Sequence, residues 1–150
     1  MRTDVEKIKQ LRDQTGLSFN EIRKALEESG GDFARAIDIL KAHGVSIAEK
    51  KSIRETKEGI VEAYVHNNKK IGSLIELNCE TDFVAKNFEF LNLAHELAMQ
   101  VASMDPKDNK EFLDQPYIKD QDITIKDLIQ QYIAKLGENI KVGGFIRFSI

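Results

Sequence analysis

The sequence is poor in cysteine, proline and tryptophan, and it contains no long apolar run. Its 150 residues include one cysteine, two prolines and no tryptophan. A single cysteine, Cys79, cannot form an internal disulfide, which is typical of proteins in a reducing compartment. A bilayer-spanning helix needs roughly 18 or more consecutive apolar residues, and no segment approaches that length. We therefore expect a cytoplasmic protein that has no membrane partner.

An excess of positive charge is also missing. Lysine and arginine number 22, aspartate and glutamate number 25, and the two kinds of charge are interleaved to give a net charge of -3. Because binding to a phosphate backbone needs a concentrated positive face, the composition predicts no direct nucleic-acid partner. The three histidines have no metal-ligand spacing, and no glycine-rich phosphate-binding motif is present. The sequence therefore predicts neither a metal nor a cofactor.

Residues 3–44 show the apolar periodicity of three short helices. The segments TDVE at residues 3–6 and SFNE at residues 18–21 have the form of capping boxes at the starts of the first two. Asp32 is placed to cap the third helix, and Gly44 is placed to end it. We therefore expect a helical domain over residues 1–45, followed by a charged, partly helical linker over residues 46–57.

From Gly59 onward the apolar period changes to two, which is typical of a β-hairpin with one buried face. The apolar sets expected on that face are Val61, Ala63 and Val65 in the first strand, and Ile71, Ile75, Leu77 and Cys79 in the second. Helical spacing returns through about Ser103, and a loop follows. A further helix is predicted from Thr124 to Gly137, then a third strand over residues 142–150. The prediction is an α+β core domain over residues 58–150, with a small antiparallel sheet.

Cys79 is the one residue that suggests nucleophilic catalysis, with His66 or His95 as its base. Its position in the apolar set of the second strand favours a different role, since a buried cysteine behaves as a small hydrophobic side chain. A Cys-dependent hydrolase would need an exposed thiol of low pKa. The sequence therefore predicts no catalytic residue.

The strand alternation stops abruptly after Cys79, where an aromatic residue stands among charges at Asp82-Phe83-Val84. Phe83 either folds back into the core beside Phe88 and Phe90 or forms an exposed apolar tip. Exposed aromatic side chains of this kind carry much of the binding energy at protein interfaces. A second candidate contact patch contains Arg12, Phe19 and Arg23, around the start of the second helix.

Three parts of the sequence carry recognisable motifs. They are LRDQTG at residues 11–16 with RKAL at 23–26, ELNCETDFVA at 76–85, and IAKLGENI at 133–140 with FIRF at 145–148. Together they resemble the elongation factor Ts family. The second stretch matches the family signature, and the three occur in the family's order through nearly the whole chain. The resemblance implies a ubiquitin-associated-like three-helix bundle followed by an α+β core with antiparallel strands.

The resemblance also implies a function. Members of this family bind elongation factor Tu, in its GDP-bound and nucleotide-free states, and promote release of GDP. The implied docking residues of the bundle are Arg12, Phe19, Asn20 and Arg23. Residues 81–84, which we call the finger, comprise Thr81, Asp82, Phe83 and Val84, and the resemblance implies that all four bind the partner. Asp82 and Phe83 are implied to insert between helices of the partner near its nucleotide and magnesium site.

The sequence departs from the family at three places. Phe19 and Asn20 stand where methionines are common, the interval from Met104 to Gln115 is short, and Gly143-Gly144 replaces residues that tend to be basic. With a single core the chain resembles the short members that form homodimers. The alternative function is a ubiquitin-associated-like adaptor that binds ubiquitin or a peptide and has no exchange activity.

Overall fold

The N-terminal part of the computed structural model is a bundle of three helices. The model describes residues 2–150, with side chains from residue 5 onward. The helices are α1 (Arg2–Thr15), α2 (Phe19–Glu28) and α3 (Phe33–Lys51). Their buried side chains form a small core that consists of Leu11, Leu17, Ile22, Ala25, Ala36 and Leu40. The capping box predicted at Thr3 lies outside the residues whose side chains are described.

The capping box predicted at the start of α2 is confirmed. The Ser18 hydroxyl accepts a hydrogen bond from the backbone N–H of Glu21, whose carboxylate accepts one from the backbone N–H of Ser18. Asp32 caps α3, as expected. The predicted helix end at Gly44 is wrong, because α3 continues to Lys51 through part of the expected linker. Gly44 is buried, and a Cβ added there would lie 3.4 Å from the Cβ of Ala134.

The remainder of the chain is an α+β core built on an antiparallel sheet, which confirms the predicted fold class. Strands β1 (Glu58–Val65) and β2 (Ile71–Cys79) form the predicted hairpin, with α4 (Asp82–Ala85) directly after it. Four further elements follow in chain order: the helices α5 (Phe88–Met104) and α6 (Asn109–Asp114), then the paired strands β3 (Pro116–Tyr117) and β4 (Asp120–Thr124). The chain ends with α7 (Ile125–Leu136) and β5 (Lys141–Ser149), and the main sheet has the order β1-β2-β5.

The sheet buries the predicted face of β2 but the opposite face of β1. Ile75, Leu77 and Cys79 are fully buried against α5. In β1, however, Ile60 and Tyr64 face the core, whereas Val61 is 69% exposed. The cross-strand register explains this, because Ile60 pairs with Leu77 and therefore lies on the same side of the sheet. Apolar residues occur on both sides of β1, so its alternation alone did not identify the buried side.

The outer side of the sheet is consequently apolar and exposed. We call this surface the open sheet face; its apolar members are Val61, Ala63, Val65, Leu74, Ile146 and Phe148. Cross-strand pairing places Ile146 opposite Leu74, which itself pairs with Ala63. Phe148, at 72% exposure, is the largest of these side chains.

Gly143 and Gly144 form a bulge in β5. Ile75 pairs with Phe145 and Leu77 with Val142, so the single residue Glu76 faces both glycines. A Cβ added to Gly143 would lie 2.6 Å from the Glu76 carboxyl carbon. The glycine pair is therefore suited to this close approach of two strands.

The segment between α5 and α7 was predicted as loop and instead contains α6 and the short pair β3 and β4. Two buried polar residues one turn apart on α5 hold it in place. Glu96 accepts hydrogen bonds from the Tyr117 hydroxyl at 2.7 Å and from the Lys119 ammonium at 2.6 Å. Gln100 accepts from the backbone N–H of Ile118 at 3.0 Å. These hydrogen bonds hold the segment between α5 and α7 against α5.

The bundle packs on the core through α3 and α7. Ala134 of α7 contacts the bundle core, and the ammonium of Lys51 donates a hydrogen bond to the carbonyl of Gly137 at 2.9 Å. Gly137 ends α7 with a positive φ of 78°, as the sequence predicted. Within residues 2–150, no helix is long and apolar enough to cross a membrane.

Candidate functional site

The finger presents an aromatic side chain to solvent. Phe83 is 84% exposed, whereas Val84 is half-buried against the core and Ala85 is buried. The alternative that Phe83 belongs to the core is therefore wrong. Phe90, in the first turn of α5, is the fully buried phenylalanine of this region. An exposed side chain of this size gains free energy when a partner removes it from water.

The finger is the first turn of a very short helix, and its polar residues serve that turn. Thr81 is the N-cap of α4, and its hydroxyl accepts a hydrogen bond from the backbone N–H of Val84 at 3.4 Å. Asp82 is exposed and lies 3.7 Å from the ammonium of Lys86, one turn later. An exposed pair of this kind contributes little stability, so the Asp82 carboxylate is free to form other contacts.

Glu138 supports the finger from the loop after α7. One carboxylate oxygen, Oε1, accepts hydrogen bonds from the backbone N–H groups of Glu80 at 3.1 Å and Thr81 at 3.0 Å. The other oxygen, Oε2, accepts from the Thr81 hydroxyl at 2.6 Å. Three hydrogen bonds to one charged group fix the backbone at the point where β2 becomes the finger.

Asn139 extends this support to the chain after α3. Its backbone N–H donates to the Glu80 carboxylate at 3.2 Å, and its buried side-chain amide donates to the carbonyl of Arg54 at 2.8 Å. The Arg54 guanidinium in turn lies 3.7 Å from the Glu80 carboxylate. The base of the finger, the loop after α7 and the segment after α3 therefore form one hydrogen-bonded unit.

Cys79 lies at the base of the finger but has the character of a core residue. Its side chain is fully buried, and its thiol donates a hydrogen bond to the carbonyl of Thr81 at 3.2 Å. Burial, reinforced by the negative charge of Glu138, raises the pKa of the Cys79 thiol to about 11. A thiol that remains protonated at neutral pH is a poor nucleophile, and this argues against a Cys-dependent hydrolase.

The predicted docking residues of the bundle lie at the end of α1 and the start of α2. Arg12 is in the last turn of α1, and Phe19 and Asn20 are the first residues of α2. All three are exposed, and Phe19 retains 53% of its accessible surface. Arg23 lies one turn after Phe19 and forms an exposed ion pair with Glu27 at 3.9 Å. No described hydrogen bond or ion pair joins Arg12 to the α2 residues, so the structure presents them as neighbouring surface positions.

Glu21 connects the start of α2 to α3. Its carboxylate lies 2.9 Å from Nε2 of His43. Partial burial acts to raise the pKa of Glu21, but hydrogen bonds from Ser18 and His43 outweigh it, and the net pKa is lowered. Within the described part of the chain, no three His, Cys, Asp or Glu side chains are grouped so that they could hold a metal ion.

The sequence pointed to the finger but assigned no role to the residues that hold it. Glu138 and Asn139 were recognised as part of the stretch GENI, and their contacts with Glu80 and Thr81 join residues nearly 60 positions apart. A pattern that could have indicated them is the presence of a carboxylate and an amide directly after the helix-ending Gly137, where no periodicity explains polar residues.

Known proteins resemble this chain along its whole length. A profile of the family described as Elongation factor TS matches residues 80–150. Elongation factor Ts from Thermodesulfovibrio yellowstonii is 41% identical over 194 positions, which cover 100% of this chain and 97% of that protein. The proteins of the same name from Thermotoga petrophila and Fervidobacterium nodosum are 41% and 38% identical, also across 100% of this chain and 97% and 99% of their own lengths.

These alignments also bear on the length of this chain. Its 150 residues are spread over 193 to 195 aligned positions, so the relatives contain segments that have no counterpart here. Identity at this level over the full chain establishes common descent and a common fold. The chain belongs to the elongation factor Ts family of translation elongation factors.

Proposed function

We propose that this protein binds elongation factor Tu and promotes the release of GDP as a guanine nucleotide exchange factor. The observation that carries the proposal is Phe83, an apolar side chain 84% exposed on a turn held by three hydrogen bonds to Glu138. An exposed aromatic residue on a fixed support is suited to enter a pocket of a partner at low entropic cost. Membership of the elongation factor Ts family supports elongation factor Tu as the partner.

The proposed mechanism is a difference in binding free energy and includes no covalent step. If Phe83 is buried only when the partner has lost its nucleotide, its transfer from water favours that state by about 1.5–3 kcal/mol. By reciprocity, the factor then weakens GDP binding by the same free energy, roughly tenfold to a hundredfold for this one side chain. Contacts made equally in both states add affinity for the partner but do not expel GDP.

The bundle supplies such contacts in this proposal. Arg12, Phe19, Asn20 and Arg23 form the docking surface, with Phe19 as an apolar anchor and the two arginines as charged ones. Arg23 keeps its charge available, because its ion pair with Glu27 is long and exposed. Docking through the bundle and insertion through Asp82 and Phe83 then act on the same partner molecule.

We also infer that the protein forms a homodimer through the open sheet face. Val61, Leu74, Ile146 and Phe148 are between 42% and 72% exposed on one side of a sheet whose two outer strands are unpaired along one edge. Contiguous apolar surface of this kind is normally covered in a stable protein. A second copy of the chain presents a matching apolar face.

Release of fluorescent GDP from purified elongation factor Tu, chased with excess unlabelled GDP, tests the exchange proposal. The release rate should rise with the concentration of this protein and then saturate. Reciprocity adds a second expectation, since GDP should dissociate the complex of the two proteins. A release rate that is unchanged at every concentration, despite complex formation, would favour the adaptor alternative. That alternative gives no role to an exposed and firmly held Phe83.

A further inference from the structure

The finger is too short to hold its own conformation. Helix α4 has four residues, Asp82–Ala85, and isolated helices of even 12 residues are marginal in water. Its exposed tip makes no use of the core, because Phe83 is 84% exposed. The buried Ala85 and the half-buried Val84 anchor the backbone after Phe83, and the groups that bind the backbone before Phe83 fix its other side.

The hydrogen-bond geometry identifies Glu138 as the principal group of this kind. A hydroxyl has one proton to donate, and the Thr81 proton is used in the 2.6 Å bond to Glu138 Oε2. The Thr81 hydroxyl oxygen keeps a lone pair, which accepts a hydrogen bond from the backbone N–H of Val84 at 3.4 Å. The first turn of α4 is therefore closed by a hydroxyl whose orientation depends on Glu138.

The buried residues around the finger do not depend on this carboxylate. Cys79, Ala85 and Phe90 are buried in the apolar core, and Glu138 itself is only half-buried on the loop after α7. Loss of the Glu138 carboxylate should consequently loosen the finger while leaving the core and the bundle folded. That separation distinguishes a residue that positions the finger from one that merely stabilises the fold.

We propose that Glu138 is a positioning residue for nucleotide exchange, which holds Thr81 so that Phe83 is presented in one orientation. The inference rests on the exchange function proposed above. Glu138 does not contact the partner in this account and acts only through the finger. Its removal should therefore lower the rate of GDP release at saturating factor more than it changes the concentration that gives half-maximal rate.

The test compares Glu138→Ala, Glu138→Gln and Thr81→Val with the parent protein. Misplacement of an acting group by a small distance costs about tenfold to a hundredfold in rate, and we expect a fall of this size for Glu138→Ala. Glu138→Gln should recover part of the rate, because its amide oxygen can still accept from the two backbone N–H groups. Glu49→Ala, a change on the exposed surface of α3, serves as the matched control and should leave the rate unchanged.

Amide hydrogen exchange of Val84 provides a readout that does not need elongation factor Tu. In Glu138→Ala and Thr81→Val the Val84 amide should exchange faster, while amides of β2 keep their protection. If the parent fails to accelerate GDP release, the exchange function is wrong, but the Val84 measurement still tests the positioning by Glu138. Parental protection of Val84 in both variants, or a parental release rate in a folded Glu138→Ala, would overturn the inference.

Discussion

The ammonium of Lys135 lies 3.0 Å from the carboxylate of Glu89, and this ion pair joins α7 to the first turn of α5, just beyond the finger. The methylene groups of the same lysine pass over Gly16, in the loop between α1 and α2. Lys135 therefore contacts the docking end of the bundle and the neighbourhood of the finger at once. If the bundle and the finger bind the same partner molecule, as proposed above, the two surfaces must keep a fixed position relative to each other.

Gly16→Ala should lower the free energy of unfolding more than Gly30→Ala does. Gly16 and Gly30 have nearly the same backbone conformation, with φ of 67° and 66°. An alanine in this left-handed region costs about 1–2 kcal/mol. At Gly30 a Cβ would meet nothing within 4 Å, whereas at Gly16 it would overlap the Lys135 side chain. Urea unfolding should show a larger loss of stability for Gly16→Ala, by about 1 kcal/mol or more.

A Lys135→Ala background isolates the steric part of that difference. There the difference between the two glycine substitutions should shrink, because the Lys135 Cγ and Cδ atoms, 2.2 and 2.8 Å from the added Cβ, are gone and only the Cβ of residue 135, at 3.0 Å, remains. A difference between them that persists unchanged would show that Lys135 does not contact Gly16 in solution.

Local signals predicted the helices and the hairpin well. Ser18 with Glu21, and Thr124 with Asp127, form capping boxes whose hydrogen bonds link residues three apart, so a short stretch of sequence contains both partners. The same holds for Gly137, whose freedom to adopt a positive φ ends α7. The sequence left open whether Phe83 is buried in the core or exposed, because no local pattern of residues distinguishes the two positions.

Features that depend on distant residues were missed or misassigned. The buried side of β1 is decided by pairing with β2, because apolar side chains occur on both of its sides. Gly44 continues α3 since Ala134, 90 positions later, packs close to it. Helix α6 has a local signal, in which the Asp108 side chain accepts from the backbone N–H of Glu111 at 2.8 Å, but its short length hid it. The hydrogen bonds from Glu80 and Thr81 to Glu138 could not be predicted, because they form only when the loop after α7 folds against the finger.

Alkaline pH should destabilise the protein in part through Cys79. The folded thiol has a pKa of about 11, above its ordinary value of 9.0. A raised pKa means that the contribution is fully present below pH 9.0 and is lost as the pH rises through 11. The loss attributable to this thiol should reach up to about 2 kcal/mol.

Cys79→Ala is the matched variant for this effect, because other groups also titrate in the alkaline range. The free energy of unfolding of the parent and the variant, measured in urea on both sides of pH 9.0, should converge as the pH rises. GDP release should be nearly the same for both proteins at neutral pH. Parallel stability curves would contradict the assignment of a raised thiol pKa, and loss of exchange by a folded variant would give Cys79 an active role.

Phe148→Glu should abolish self-association. A carboxylate at the most exposed large apolar position of the open sheet face would be buried without a partner in the proposed dimer, which costs several kcal/mol. Sedimentation at roughly tens of micromolar, an ordinary range for a moderate homodimer, should give a dimer for the parent and a monomer for the variant.

Ile53→Glu provides the control for added charge at an exposed apolar residue outside the sheet, since Ile53 is 88% exposed after the end of α3. This variant should remain dimeric. A monomeric parent, or a Phe148→Glu protein that still forms the dimer, would remove the open sheet face as the interface.

Three phenylalanine substitutions separate exchange from stability around the finger. Phe83 and Phe88 are 84% and 81% exposed, whereas Phe90 is fully buried. Truncating the exposed residues should change the free energy of unfolding by about 0.5 kcal/mol or less. Phe90→Ala should lose about 3–5 kcal/mol, as expected for a large buried aromatic side chain. Phe88→Ala is thus a chemically matched control for Phe83→Ala, and Phe90→Ala shows the signature of a core residue.

The rate of GDP release from elongation factor Tu in the presence of Phe83→Ala tests the central claim most directly. The transfer free energy lost with Phe83 is about 1.5–3 kcal/mol, and affinity changes at one interface fall mainly on dissociation rates. With stability measured on the same sample, we therefore expect a folded protein whose release rate is about tenfold to a hundredfold below that of the parent, and a much smaller effect for Phe88→Ala. The release rate with Asp82→Ala should lie between the rates with Phe83→Ala and Phe88→Ala, because the Asp82 carboxylate contributes to the finger but does not fill a pocket. A Phe83→Ala protein that is folded and releases GDP at the parental rate would contradict the account.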